Sequence, residues 1–175
     1  MKDVKEYRTV DKSSWGGGPW ENEPDKIQWT DGETGLPCLA VRQPEWGHWC
    51  GYVGVSSSHP WHRKDYGACA LATKCKDDYC QHSPGYILEA HGGITYANEC
   101  ADGPEERAVC HVPKEGEPDD IWWFGFDCAH YGDVLPGRAA DPVYKAMNDC
   151  GMYRSLRYVQ ANCARIAEKL VEVAK

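Results

Sequence analysis

The chain has no apolar run long enough to span a bilayer. Its charged N-terminal segment, residues 1–14, lacks the apolar centre that a secretory signal needs. A membrane-spanning or exported protein is therefore not expected, and a soluble cytoplasmic one is. Basic residues are also in the minority: 19 Lys plus Arg face 27 Asp plus Glu, a formal net charge of -8. That balance opposes nonspecific attraction to a nucleic-acid backbone, so long DNA or RNA is not an expected partner. A small anion is, because a local pair such as Arg63-Lys64 can hold a phosphate whatever the global charge. No internal repeat and no Ser/Gly linker divides the 175 residues, which implies a single domain spanning residues 1–175. Ten cysteines fall short of the density of a disulfide scaffold, and in a reducing cytosol they are better explained as metal ligands or core thiols.

Phenylalanine is scarce as well, and both copies lie in one tract, Trp122-Trp123-Phe124-Gly125-Phe126-Asp127-Cys128-Ala129-His130-Tyr131-Gly132-Asp133. Strand alternation places Phe124, Phe126 and Cys128 on one face and Trp123, Gly125 and Asp127 on the other. The tract reads as a central strand whose end gathers Asp127, His130 and Asp133 in a cleft. Upstream, the alternation in Lys26 to Trp29 and Cys38 to Arg42, around Asp31-Gly32-Glu33-Thr34-Gly35, predicts a hairpin. Trp49 to Val55 predicts a third strand; Tyr86 to Ala90, Ile94 to Ala97 and Ala108 to Val112 predict further ones before the Phe tract. Residues 1–25 form an extended arm docked by the two indoles of Trp15-Gly16-Gly17-Gly18-Pro19-Trp20.

The period changes in residues 150–174, where Leu156, Val159, Cys163, Ile166, Leu170 and Val173 recur at three- and four-residue steps. One long amphipathic helix covering a mostly antiparallel sheet gives an α+β fold with a Cys/His-rich loop. The same stripe could serve as a homodimer seam, although packing on its own sheet is the commoner outcome.

Several clusters carry chemistry. Cys69, Cys75, Cys80 and His82, spaced C-x5-C-x4-C-x-H in the loop 67–85, match the donor set of a structural zinc site, with unrelated thiols or a loop disulfide as the alternatives. His59, His62, Arg63, Lys64 and Tyr66 crowd a loop after the third strand and are the expected substrate-binding residues, holding a small anionic ligand; a merely solvated charge cluster is the plainer reading. His91, in His91-Gly92-Gly93-Ile94-Thr95-Tyr96, joins Asp127, His130 and Asp133 as the expected catalytic set. With His59 or His62 these donors could also hold a second divalent metal; without one, His91 and His130 act as base and acid on a phosphoester, and the plain alternative is a buried polar network. Cys128 reads as a core thiol, as do Cys38, Cys50, Cys100, Cys110, Cys150 and Cys163, and His111 as a satisfied strand histidine.

At these residues the chain resembles a family of uncharacterised proteins encoded by bacteria and their phages. The likeness runs through Gln28-Trp29-Thr30-Asp31, Thr34 to Cys38, Trp49 to Val55, His59-Pro60, the H-G-G-x-T-Y motif from His91, Gly116-Glu117-Pro118-Asp119 and the tract Trp122 to Asp133. The resemblance brings no activity with it. Occurrence in phages implies a role in host takeover or counter-defence, such as capture or destruction of a nucleotide signal. The expected function is hydrolysis of a small phosphate-bearing, nucleotide-like molecule; a non-catalytic nucleotide-sequestering protein and a zinc-stabilised protein-interaction module are the alternatives.

Overall fold

The computed structural model describes residues 1–69, 80–113, 116 and 119–175. Six strands form one sheet: β1 (Lys2–Tyr7), β2 (Lys26–Thr30), β3 (Pro37–Arg42), β4 (Trp49–Val55), β5 (Tyr96–Glu99) and β6 (Trp122–Asp127). Their order is β1-β2-β3-β4-β6-β5, and every neighbouring pair is antiparallel. The β2–β3 hairpin turns on Asp31, whose Oδ1 accepts from the Thr34 amide at 2.9 Å and the Thr34 hydroxyl at 2.8 Å. A short polar side chain thus supplies the turn's hydrogen bonds locally, as aspartate does in such loops.

All seven residues of β4 are buried, so the sheet is covered on both faces at its centre. On one face Trp49, Val53, Val55, Phe124, Phe126 and Cys128 pack under the helix α3 (Leu156–Val173). That helix is capped by the Ser155 hydroxyl, which accepts from the Tyr158 amide, and it buries Val159, Cys163, Ile166, Ala167 and Leu170. Glycine at position 51 permits the approach: a Cβ there would stand 2.6 Å from the Phe126 ring and 2.8 Å from Val159 Cγ1. The apolar stripe of α3 therefore faces its own sheet and is not available as a dimer seam. The opposite face, built from Leu39, Val41, Cys50, Tyr52, Ile121 and Trp123, is covered by the segment after β5, which brings Cys100 and Val109 against it. Fully buried Lys26 anchors that segment, donating to the Cys110 carbonyl at 2.8 Å and to the Glu105 carbonyl.

The N-terminal arm differs from expectation in part. Residues 2–7 form the edge strand β1, while Trp15 and Trp20 dock the remainder, 3% and 5% exposed. A polar knot fastens it from within. Glu23 accepts from Arg42 Nη2 at 2.8 Å, Trp49 Nε1 at 3.1 Å, the Leu156 amide at 2.9 Å and the Tyr153 hydroxyl. The Arg42 guanidinium lies 4.1 Å over the Trp49 ring, so this buried cation has both an anion and a π face.

Two expected strands and three expected core thiols are corrected. Tyr86 to Ala90 is not a strand, because Ser83 caps and Pro84 opens a single helical turn, α1 (Pro84–Ile87). Among the described residues Ala108 to Val112 pairs with no strand; it lies across the sheet face, held by the Ala101 amide on the Val109 carbonyl at 3.1 Å, by Lys26 on the Cys110 carbonyl and by the Val112 amide on Gln28 Oε1 at 3.0 Å. Cys100 and Cys110 are not core thiols but a disulfide, and Cys150 is exposed. A further helix, α2 (Pro142–Met147), starts where the Asp141 carboxylate accepts from the Val143 and Tyr144 amides.

Candidate active site

Strand β6 ends at Asp127, and its carboxylate caps the next turn, Oδ1 accepting from the Ala129 amide at 3.1 Å and Oδ2 from the Thr95 hydroxyl at 3.2 Å. The turn then folds His130 and Asp133 back beneath it. The Asp133 side chain is completely buried; its Oδ2 accepts from His91 Nε2 at 2.6 Å and from the His130 amide at 3.0 Å, and its Oδ1 from Arg154 Nε at 2.7 Å. Helix α2 fixes the same residue from behind, because Tyr144 and Asn148 both donate to the Asp133 carbonyl.

Burial would raise the Asp133 carboxyl, but the hydrogen bonds from Arg154, His91 and the His130 amide outweigh it and hold the group below the usual carboxylate value. An ionised carboxylate only accepts, so the proton in the 2.6 Å bond belongs to His91 Nε2. The other nitrogen, Nδ1, lies 3.0 Å from the Tyr158 hydroxyl, which can donate to it. Asp133, His91 and Tyr158 thus form a line running from the interior outward. Asn162, buried on α3, keeps the line in place by accepting the His91 amide at 3.2 Å and donating to the Tyr158 carbonyl at 2.9 Å.

His130 stands beside this line. Its ring crosses that of His91 edge to face, centroids 5.2 Å apart, and its side chain is 35% exposed. Its Nδ1 lies 3.8 Å from both Asp127 Oδ1 and Asp133 Oδ2. Gly92 makes room for it: φ is +68°, and a Cβ there would overlap the imidazole. The four expected catalytic residues, His91, Asp127, His130 and Asp133, are therefore one cluster, open to solvent on the His130 and Asp127 side.

Three members were not anticipated. Arg154 and Tyr158 lie one turn apart at the start of α3, the guanidinium 5.0 Å over the phenol ring, and their spacing across a Ser155 cap is the signal that could have found them. His48 is buried just before β4; burial holds its imidazole below the ordinary value against the pull of Asp127 and Asp133, and its Nδ1 makes no hydrogen bond among the described residues. Nothing in the local sequence around His48 marks it.

The expected substrate-binding loop does not reach this cluster. Cys50 pairs with Asp127 and Val55 with Trp122, so residues after Val55 sit at the far end of β4, roughly 17 Å away at the rise of a strand. His59 is committed to structure, Nε2 donating to the Leu170 carbonyl at 2.9 Å and Nδ1 accepting from the Trp61 amide at 3.0 Å. His62 Nε2 donates to the Asp120 carbonyl at 2.7 Å, and the Lys64 carbonyl accepts from Trp122 Nε1. Arg63 adopts a positive φ of 61° at the same end. These four therefore cannot hold a ligand bound at His91. Tyr66 is placed differently: with Tyr86, Ser83, Gly92 and Gly93 it lines a hollow of about 340 Å³ beside the His91 turn.

Of the expected zinc set, Cys75 lies outside the described residues, while Cys69 and Cys80 are half-buried and His82 is exposed. Two other groups could hold a metal ion, with ligand atoms all within 4.8 Å of one another: His91, His130 and Asp133, and Cys100, Cys110, His111 and Asp119. Burial, with Asp133 next, pushes the Cys128 thiol far up, consistent with a packing role and not a nucleophilic one. Among the described residues no helix is long and apolar enough to cross a membrane. No protein-family model, curated protein or solved structure matches this chain.

Proposed function

We propose that the protein hydrolyses a small phosphate-bearing, nucleotide-like molecule at the His91–His130 cluster. The observation that carries this reading is the pair of imidazoles with unequal surroundings, one locked between Asp133 and Tyr158 and the other half open to solvent. Both His91 nitrogens are engaged, so a water reaches this ring through the Tyr158 oxygen. As the water attacks phosphorus, its proton passes to that oxygen, the phenol proton passes to His91 Nδ1, and the buried Asp133 carboxylate stabilises the imidazolium. His130, whose Nδ1 lies 3.8 Å from the Asp127 and Asp133 carboxylates, then protonates the leaving oxygen.

Arg154 supports the choice of substrate. Its Nε is tied to Asp133, while Nη2 has no partner among the described residues and can meet a phosphoryl oxygen. Tyr131, fully exposed next to His130, offers a face on which a base can stack. A divalent ion on His91, His130 and Asp133 would polarise a phosphoryl oxygen, and those three residues would be its ligands.

The test is incubation of the purified protein with bis(p-nitrophenyl) phosphate and a panel of cyclic and linear nucleotides, with Mg²⁺, Mn²⁺ or Zn²⁺ added in turn or with chelator. Turnover is expected, and His91→Ala should lower it by about 100- to 10,000-fold. Recovery of intact nucleotide from the heated protein would replace hydrolysis by sequestration. Neither turnover nor retention in any arm would leave the cluster a structural network.

A further inference from the structure

The connection between β5 and β6 is long. Among its described residues it contains no helix or strand, yet it lays Cys100 and Val109 on one sheet face. Irregular loops beyond about 15 residues are uncommon in a compact domain unless something ties them down. Here Cys100 follows β5, Cys110 and His111 lie on the returning segment, and Asp119 precedes β6, and their four ligand atoms meet within 4.8 Å.

We infer that this cluster is a structural zinc site in the reduced protein, with Cys100, Cys110, His111 and Asp119 as its four ligands. The chemistry of the donors points to a cation. Asp119 Oδ1 lies 3.2 Å from Cys100 Sγ and 3.6 Å from Cys110 Sγ, its Oδ2 lies 3.5 Å from Cys110 Sγ, and His111 Nδ1 is 3.6 Å from Asp119 Oδ1. When the two sulfurs are joined as a disulfide neither carries a proton, so no hydrogen bond draws the Asp119 carboxylate to the sulfur lone pairs it faces. One Zn²⁺ turns that set of converging lone pairs into bonds, and two thiolates, an imidazole and a carboxylate complete a tetrahedral shell with no open position. Such a shell is structural. The outer surroundings fit a thiolate centre as well: Trp123 Nε1 donates to Cys100 Sγ at 3.4 Å, and the buried Lys26 ammonium bonds to the Cys110 carbonyl.

Disulfide and zinc forms exclude each other. A dithiol supplies two electrons and two protons to the Cys100–Cys110 bond and leaves as its own disulfide; zinc then displaces the two thiol protons to solvent. Either form pins the connection to the sheet, and the metal form uses His111 and Asp119 in addition.

The probe is Co²⁺ added to the dithiol-reduced protein under anaerobic conditions, followed by competition with Zn²⁺. One equivalent should bind with the d–d bands of tetrahedral cobalt and a thiolate-to-cobalt charge-transfer band, and Zn²⁺ should bleach both. Cys75→Ser should leave that spectrum unchanged, which separates this site from the 67–85 loop, while Cys100→Ser/Cys110→Ser should abolish the charge-transfer band. Should the double variant fail to fold, Asp119→Asn serves instead, since that side chain is 45% exposed. It should weaken Co²⁺ binding at least about tenfold, the low end of what loss of even an outer partner produces. Absence of Co²⁺ binding by the reduced wild type, or a charge-transfer band that survives the cysteine double variant or an affinity indifferent to Asp119→Asn, overturns the assignment.

Discussion

His91 donates to Asp133 across 2.6 Å although 42 residues separate them, and the acceptor is a side chain with no solvent exposure. The bond joins the turn before β5 to the turn after β6, and it fixes which ring nitrogen carries the proton.

Tyr158→Phe removes only the outer end of the line. The ring keeps its packing against Arg154 and the helix start is unaltered, so the melting temperature should change little. If Tyr158 relays the proton, kcat for the phosphoester substrate should fall by about 100-fold or more with KM nearly constant. Steady-state kinetics and thermal denaturation on the same preparation check this; an unchanged kcat would remove Tyr158 from the relay.

Gly92 and Gly93 provide an internal control. Both hold positive φ, +68° and +92°, so alanine is strained at each, but only at position 92 would the new methyl overlap His130; at 93 no atom lies within 4 Å. Each substitution should cost about 1 kcal/mol or more in stability. Turnover should collapse in Gly92→Ala and persist in Gly93→Ala, as measured by kcat beside urea denaturation.

Glu23→Gln tests the polar knot beneath the N-terminal arm. Burial would raise the Glu23 carboxyl, but Tyr153, the Leu156 amide, Trp49 and Arg42 together hold it below the ordinary value of 4.5. A carboxyl depressed on folding contributes stability that is complete above its unfolded value and is lost as pH falls through the folded one. The variant should be about 2 kcal/mol less stable at pH 7, because the buried Arg42 loses one of the two carboxylates beside it, Asp25 remaining 3.4 Å from its Nε. The gap should close below about pH 4.5, as read from urea midpoints across the acid limb.

Much of the frame was legible because burial imposes period. The Phe tract, the hairpin around Asp31 and the stripe on α3 each follow from which positions must face apolar neighbours. The meeting of Asp127, His130 and Asp133 was legible because glycines and short polar residues stop a strand abruptly and crowd its end. What failed were segments whose conformation is set by distant partners. Tyr86 to Ala90 carries a strand-like composition, yet a local cap and Pro84 decide it. Ala108 to Val112 has apolar alternation because it packs down onto a sheet, without pairing in it. Arg63 and Lys64 looked like neighbours of the site because sequence reading could not tell which end of β4 Asp127 would meet. Cys100 and Cys110 look like any other cysteines until the chain has doubled back.

Strands β4 and β6 are adjacent in the sheet but are separated along the chain by everything between Val55 and Trp122. Closing such a long detour is entropically slow, so this domain should gain its native state late and cooperatively rather than piece by piece. Until that seam zips, Asp127 has no opposite number, α3 has no floor to rest on, and the two imidazoles belong to unrelated stretches of coil. The assembled His91–Asp133 cluster and a completed barrier to unfolding therefore arrive in the same event, so that turnover at this cluster, if found, would report directly how much of a preparation has folded.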